Sequence, residues 1–134
     1  MELIRSRLLS EGSFWHISSL SAVYLSQGLS GGTLFALTTY LVSSGSSVSD
    51  ISLLLSITMI PWTLKVFMGP IIDTFTINRF GRRRFWVLIS QLMMILALFP
   101  LVFIDVNAVN FVLIALLTAH NTFVAISDIA IDAL

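Results

Sequence analysis

The sequence contains no cysteine and few charged residues, and neither sign of charge is in excess. The absence of cysteine excludes a disulfide framework, a thiolate nucleophile and a thiolate metal site. Seven basic and seven acidic residues leave no net charge, and most arginines lie in one short segment. Nucleic-acid binding needs a basic surface facing solvent, so we expect no nucleic-acid partner. Only 10% of the 134 residues are charged, which is too few to cover a small soluble domain.

Familiar catalytic motifs are also missing. The sequence has no glycine-rich phosphate loop, no HExxH pattern and no serine placed beside a histidine as a nucleophile. Asp128 and Asp132 lie four residues apart and suit a magnesium–diphosphate complex, as in membrane prenyltransferases. That chemistry requires a second acidic cluster, which is lacking. We therefore expect no enzyme activity, no cofactor and no metal site.

Long apolar segments are the main feature that is present. Hydrophobic residues make up 57% of the chain, and the mean hydropathy is +0.98. Crossing a bilayer takes about 20 mostly apolar residues. Four segments meet this length, and the first runs well past the apolar core of a signal peptide. The sequence predicts an all-α membrane protein with four transmembrane helices, at about residues 14–42, 51–73, 85–104 and 109–134.

Polar residues separate these spans and suggest where helices begin. Residues 43–50 form a short polar loop, in which Ser49 or Asp50 suits the N-cap of the second span. Residues 105–108 predict a tight turn, and Asn107 is a candidate cap for the fourth span.

Proline residues predict irregular helices in the second and third spans. Pro61 and Pro70 favour a kink or local unwinding of the second span. Pro100 favours a bend near the end of the third.

The arginines predict the orientation of the chain. Arg5 and Arg7 precede the first span, and the connection at 74–84 contains four more arginines. The other two connections contain none. Basic residues concentrate in cytoplasmic loops, so the N-terminus and residues 74–84 should face the cytoplasm.

Lys65 lies about 14 residues into the second span, where a charge is costly unless it is paired or hydrated. Asp73 is eight residues further on, about 12 Å at the helical rise, which is farther than a lysine readily reaches. Snorkelling of Lys65 towards the cytoplasmic surface is the alternative. We favour a paired or functional lysine.

Two carboxylates share one face near the cytoplasmic end of the fourth span. Asp128 and Asp132 are four residues apart, and both need cations or water. By depth, Lys65 should reach Asp128, whereas Asp132 should meet Arg82 or Arg83. The alternative is that both carboxylates are simply hydrated at the membrane interface. For Asp132, pairing with a cation and hydration are equally supported.

Other polar residues lie inside the spans. Tyr24 and Gln27 share one face of the first helix. Their side chains suit the lining of a pore and packing between helices equally well. The Gly28-x-x-x-Gly32 pattern favours close helix packing. His120 lies near the middle of the fourth span. It suits a proton relay, but we prefer a hydrogen bond between helices.

The segment Gly69-Pro-Ile-Ile-Asp73, followed by Phe80-Gly-Arg-Arg-Arg84, resembles the loop signature of the major facilitator superfamily. The signature has two residues between its aspartate and second glycine, where this chain has seven, and Thr74 replaces a basic residue. PWTLKVFMGPIID, NRFGRRRFWVLISQ and SDIAIDAL resemble the muropeptide permease and acetyl-coenzyme A transporter branch more closely. The resemblance covers about residues 24–134.

The resemblance implies a fold of twelve helices in two six-helix bundles that rock around a midplane site. This chain matches the first four helices, so residues 1–134 are expected to be part of the N-terminal bundle of a longer protein.

The resemblance also implies roles for particular residues. Gly69 would allow a helix of the other bundle to approach closely, and Asp73 would lie at that bundle interface. Gly81 belongs to the signature loop, in which Arg82 and Arg83 would form a cytoplasmic latch. Asp132 is a plausible counter-charge for that latch. Lys65, Asp128, Gln27, Tyr24 and His120 are candidates for a substrate or proton pathway.

The function expected from these features is secondary active transport of a small anionic solute, such as a muropeptide or acyl-nucleotide, with protons as the coupling ion. The expected location is the inner cell membrane, with the lipid bilayer and the remaining transporter helices as partners. The alternative is a self-contained four-helix membrane protein that dimerises as a small transporter or assembly factor.

The predicted orientation can be tested with single cysteines, because the natural chain has none. We expect a membrane-impermeant maleimide added to intact cells to label Ser44→Cys and not Thr76→Cys, because residues 43–50 should face outwards and residues 74–84 should face the cytoplasm. Permeabilised cells provide the control, since both sites should then react. The opposite labelling pattern would contradict the orientation.

Overall fold

The structure, a computed structural model, describes residues 11–74 and 84–132. The described residues form helices and loops without a strand, as the sequence predicts. We label the helices α1 to α5 in chain order, with a short 3-10 helix at Phe99–Val102. Their bounds are Glu11–Ser43, Val48–Thr63, Lys65–Thr74, Arg84–Leu98 and Phe111–Asp132.

Three stretches of the described chain are long and apolar enough to cross a membrane. They are Val48–Ile72, Arg84–Val102 and Phe111–Asp132. Large apolar side chains such as Val66, at 79% exposed, face outwards from them, as expected for contact with lipid. Helix α1 matches the first predicted span in position. It is not among the three, and its many serine and glycine residues lower its hydropathy.

Several hydroxyl groups of helix α1 are satisfied within the helix itself. The hydroxyl groups of Ser19, Ser30 and Thr33 each donate to a backbone carbonyl four residues earlier. Such bonds remove the cost of placing a hydroxyl group in an apolar environment. A serine-rich helix can therefore still cross a bilayer, and a crossing by α1 stays a prediction.

The chain divides into two compact units, Met1–Phe35 and Ala36–Leu134. The described part of the first unit is most of α1. The second contains the end of α1 and all of the other helices, and it holds the main core.

Helix α5 is the centre of the second unit. It packs against α4 on one side and against α2 and α3 on the other. Its buried positions recur every three or four residues, the period of an α-helix. They are Leu113, Leu117, His120, Asn121, Val124, Ala125, Ser127, Ala130 and Ile131.

Interhelical hydrogen bonds define how these helices are aligned. Asn121 Nδ2 donates to Thr58 O at 2.8 Å, and Lys65 bonds Asp128. Both pairs are separated by 63 positions, so α2 and α3 run parallel to α5 in one constant register. Because the two contacts are seven residues apart, they lie two helical turns apart along one seam.

Both predicted helix caps are wrong by a few residues. Ser47, rather than Ser49 or Asp50, caps α2, because its hydroxyl oxygen accepts from the backbone N–H of Asp50. Asn110, rather than Asn107, caps α5 by accepting from Leu113 N at 2.8 Å. Several polar residues in each loop suit a cap, and the exit angle of the chain decides between them.

Asn107 has a different role. Its side-chain oxygen accepts a hydrogen bond from the Tyr40 hydroxyl group, and its backbone N–H donates to Asp105 at 3.1 Å. It therefore ties the turn before α5 to the end of α1.

Two of the three prolines mark irregular backbone. The second span breaks at Leu64, three residues after Pro61 has removed one backbone donor. The helix continues through Pro70. Around Pro100 the α-helix gives way to the 3-10 helix. This change of helix type agrees with the irregularity that Pro100 predicts.

Replacement of Asn110 tests the cap of α5. We expect Asn110→Ala to lower the free energy of unfolding by about 1 kcal/mol, because it removes the bond to Leu113 N. Asn110→Asp should keep most of the stability, because aspartate caps about as well as asparagine. Thermal unfolding in detergent, followed by helical circular dichroism, measures both. If both variants lose the same free energy of unfolding, the side-chain cap does not account for the loss of stability.

Candidate functional site

Three charged side chains meet near the end of the membrane-spanning helices. Lys65 Nζ in α3 donates to Asp128 Oδ2 in α5, and also to Asp132 Oδ2 at 3.2 Å. We call Lys65, Asp128 and Asp132 the charged cluster. The contact that depth predicts between Lys65 and Asp128 is present. Asp132 meets the same lysine, one helical turn further along α5.

The break in the helix at Leu64 determines where the Lys65 side chain lies. Lys65 is the first residue of α3, and Trp62 lies just before the break with its ring centre 5.7 Å from the lysine Nζ. An aromatic face at this distance attracts a cation. Two aspartates and one aromatic ring therefore surround the charge.

Exposure differs within the charged cluster. The Asp128 side chain is 14% exposed, Lys65 is 28% exposed and Asp132 is 52% exposed. Asp128 is thus the least exposed member of the charged cluster, and Asp132 is the most exposed. Asp128 therefore depends most on its lysine partner.

A neutral polar layer lies two turns deeper in the membrane. Asn121 Nδ2 bonds Thr58 O, and on the other face of α5 His120 Nδ1 donates to Met94 O at 3.2 Å. The bond of His120 to α4 is of the kind expected between helices. Thr58 Oγ1 and His120 Nε2 are buried without a hydrogen-bond partner among the described residues.

Other predicted site residues lie elsewhere. Gly69 is in α3, and an added Cβ would meet nothing within 4 Å, so its surface is open to a further helix. Asp73 lies in the same helix, but its side chain is outside the described part of the chain. Gly81, Arg82 and Arg83 are outside the described residues, so the proposed latch stays a prediction.

The two candidates in α1 belong to the first compact unit. Tyr24 is half exposed, and Gln27 Nε2 is buried without a hydrogen-bond partner among the described residues. Their part in a shared pathway stays a prediction. A Cβ on Gly28 or Gly32 would meet nothing within 4 Å, so the structure shows no close packing at these glycines.

Sequence reasoning missed Trp62 and Thr58 as neighbours of the site. A signal was available for Thr58, because Thr58 and Lys65 are seven residues apart, as are Asn121 and Asp128. Equal spacing in two spans that cross in the same direction predicts two matching contacts. A signal was available for Trp62 as well, because it lies three residues before Lys65 and side chains at this spacing are neighbours on a helix.

An open cavity of about 560 Å³ lies at the opposite end of α2 and α5. Its walls are mainly apolar, and Asp50, Asn110 and Thr118 are its polar lining residues. None of the predicted pathway residues lines it. The charged cluster therefore remains the candidate site.

Comparison with known proteins finds transporter relatives for this chain. Residues 16–134 match the family model described as acetyl-coenzyme A transporter 1. Putative transporter AmpG 3 of Rickettsia typhi is 35% identical over 78 residues, which is 55% of this chain and 19% of that protein. Putative transporter AmpG 4 of Rickettsia felis is 30% identical over 105 residues, or 73% of the chain and 24% of the relative.

A plant protein matches over a longer stretch. Probable folate-biopterin transporter 2 of Arabidopsis thaliana is 29% identical over 133 residues, or 95% of this chain and 26% of the relative. The chain thus spans about a quarter or less of the length of these curated relatives. No solved structure matches it.

These similarities and the three apolar helices identify a multi-pass membrane protein. The relatives carry the names of transporters rather than enzymes, in agreement with the absence of catalytic motifs from the sequence. Because the family match covers most of the chain, the protein belongs to the acetyl-coenzyme A transporter 1 family.

Proposed function

We propose that this chain is the N-terminal part of a secondary active transporter that imports a small anionic solute together with protons by alternating access. The observation that carries the proposal is the charged cluster, which places a lysine and two aspartates inside membrane-spanning helices. Ionisable residues in such positions commonly mark substrate or ion pathways.

The lysine supports an anionic solute. Lys65 has three N–H donors, and the described contacts use two of them on carboxylates. With 28% of its side chain exposed, it remains accessible to a ligand. The relatives' names agree, because acetyl-coenzyme A carries phosphates and folate carries carboxylates. A muropeptide is also anionic.

The ion pairs also suit a transporter that changes conformation. A charge at the centre of a membrane helix costs about 2.5–3.5 kcal/mol on insertion scales, and a charge near a helix end, where the charged cluster lies, costs less. This energy is large enough to favour one conformation. It is also small enough for a bound solute to overcome, because differential binding shifts the population of states.

The proposal includes a longer protein in the inner cell membrane with its N-terminus in the cytoplasm. Four helices cannot form two opposed bundles, so about eight more spans should follow residue 134, with a weaker repeat of the Gly69–Arg84 pattern. Reading the gene beyond Leu134 tests this directly. A stop codon there, with a stable dimer of the short protein, would favour the self-contained four-helix alternative.

Neutralising Lys65 tests the role of the charged cluster in transport. We expect Lys65→Met in the full-length protein to reduce solute uptake at least about tenfold, because Asp128 loses its cation and the solute loses its contact. Proteoliposome uptake of radiolabelled acetyl-coenzyme A, folate or a muropeptide under an imposed proton gradient provides the measurement.

Thr63→Ala provides the matched control. Thr63 lies two residues before Lys65, its side chain is exposed, and the described partner of its hydroxyl group is the local Ile60 carbonyl. Uptake should therefore stay near the wild-type rate. Unchanged uptake by Lys65→Met would remove the charged cluster from the transport pathway.

A further inference from the structure

We propose that the open cavity between α2 and α5 binds a phospholipid whose headgroup carries a primary ammonium group, such as phosphatidylethanolamine. The cavity lies at the opposite end of these helices from the charged cluster, so its occupancy does not depend on the proposed transport activity. The lipid places its headgroup where both helices begin and lays one acyl chain along the cavity wall.

The walls of the cavity suit an acyl chain. Leu53 and Ile57 line it from α2, and Phe111 and Ile114 line it from α5. The cavity volume of about 560 Å³ is within the range of about 300–1,000 Å³ that is usual for small-ligand sites. Burial of a polar group costs free energy unless the group is hydrogen-bonded, whereas an alkyl chain needs no such partner. These walls therefore favour an alkyl chain over a polar solute.

The position of the cavity corresponds to the boundary between lipid headgroups and hydrocarbon. Asp50 and Asn110 line it where the apolar spans Val48–Ile72 and Phe111–Asp132 begin. Both spans begin at the same end, because α2 and α5 run parallel. The polar part of the cavity thus lies beside the headgroups, and its apolar walls lie deeper in the membrane.

Two polar side chains at this boundary suit the two charges of the headgroup. The Asp50 side chain is exposed, and none of the described residues forms a hydrogen bond or ion pair with its carboxylate. It can accept charge-assisted hydrogen bonds from a primary ammonium group. Asn110 has two amide hydrogens, and the described partner of its Nδ2 is Ala108 O at 3.5 Å. The second hydrogen can bind a phosphate oxygen.

This chemistry distinguishes phosphatidylethanolamine from phosphatidylcholine. The two lipids have the same backbone, phosphate and net charge. Methyl groups replace the three N–H donors of the ammonium group in choline, so choline cannot donate a hydrogen bond to the Asp50 carboxylate. A preference for phosphatidylethanolamine therefore reports a contact with the carboxylate rather than a general attraction to lipid.

The length of the cavity favours a lipid over a further helix of the protein. Asp50 and Ile57 both line the cavity and are seven residues apart, about 10 Å at the helical rise. Next to Ile57, the bond from Asn121 to Thr58 O joins α2 to α5. A helix that crosses about 30 Å of hydrocarbon would leave most of its length outside such a cavity. An acyl chain that enters from the boundary needs only part of that distance.

Lipid titration followed by native mass spectrometry tests the proposal. The full-length protein is delipidated and titrated with phosphatidylethanolamine or with phosphatidylcholine of the same acyl chains. We expect wild type to bind phosphatidylethanolamine at least about threefold more tightly, because only this lipid donates to the carboxylate. Asp50→Asn should lose the preference, because the substitution keeps the size of the side chain and removes its charge.

Asp105→Asn provides the matched control. Asp105 is exposed and precedes α5 at the same end of the helices, and it is not among the residues that line the cavity. This variant should keep the wild-type preference. Equal loss of preference in both variants would overturn the proposal. Equal binding of the two lipids by wild type would also overturn it and would leave a further helix or a second copy of the chain as the occupant.

Cross-linking locates the lipid without a substitution, and it decides the matter if Asp50→Asn does not fold. Phosphatidylethanolamine with a diazirine group in one acyl chain is activated by light in nanodiscs that contain the full-length protein. We expect labelling to be concentrated at residues 53–57 and 111–118. Unlabelled phosphatidylethanolamine in excess should reduce this labelling, and phosphatidylcholine should not. Labelling spread evenly over the outward-facing helix surfaces would show ordinary surrounding lipid and overturn the proposal.

Discussion

A charge inside a bilayer needs a partner or water, and this requirement joins the two halves of the candidate site. Lys65 lies at the start of α3, and its described ionic partners are Asp128 and Asp132 on α5. The central helix therefore has to face α3 with its acidic residues at the depth of the lysine. The packing of α2, α3 and α5 in one constant register follows from this constraint.

The seam between these helices combines a neutral contact with an ionic one. The bond from Asn121 to Thr58 O is buried and joins two neutral groups. Two turns away, Lys65 is partly exposed and has more than one carboxylate to bind. A neutral contact and an ionic one therefore lie two turns apart along the same seam.

Several features of the fold were predictable from local sequence, and others were not. Apolar length located the three membrane-spanning helices, and equal depth predicted the pairing of Lys65 with Asp128. The caps at Ser47 and Asn110 were missed, because neighbouring serine, aspartate and asparagine residues suit the same position. Asn107 instead bonds Tyr40, which is 67 positions away and beyond any local rule.

The sequence by itself determined that the protein resides in a membrane, where its helices begin and end to within a few residues, and which charges need partners. These properties depend on hydropathy and spacing, which act along the chain. Only the tertiary structure decided that Asp132 shares Lys65 with Asp128. It also decided that Asp128 is the less exposed carboxylate, because exposure depends on which helices pack around a side chain.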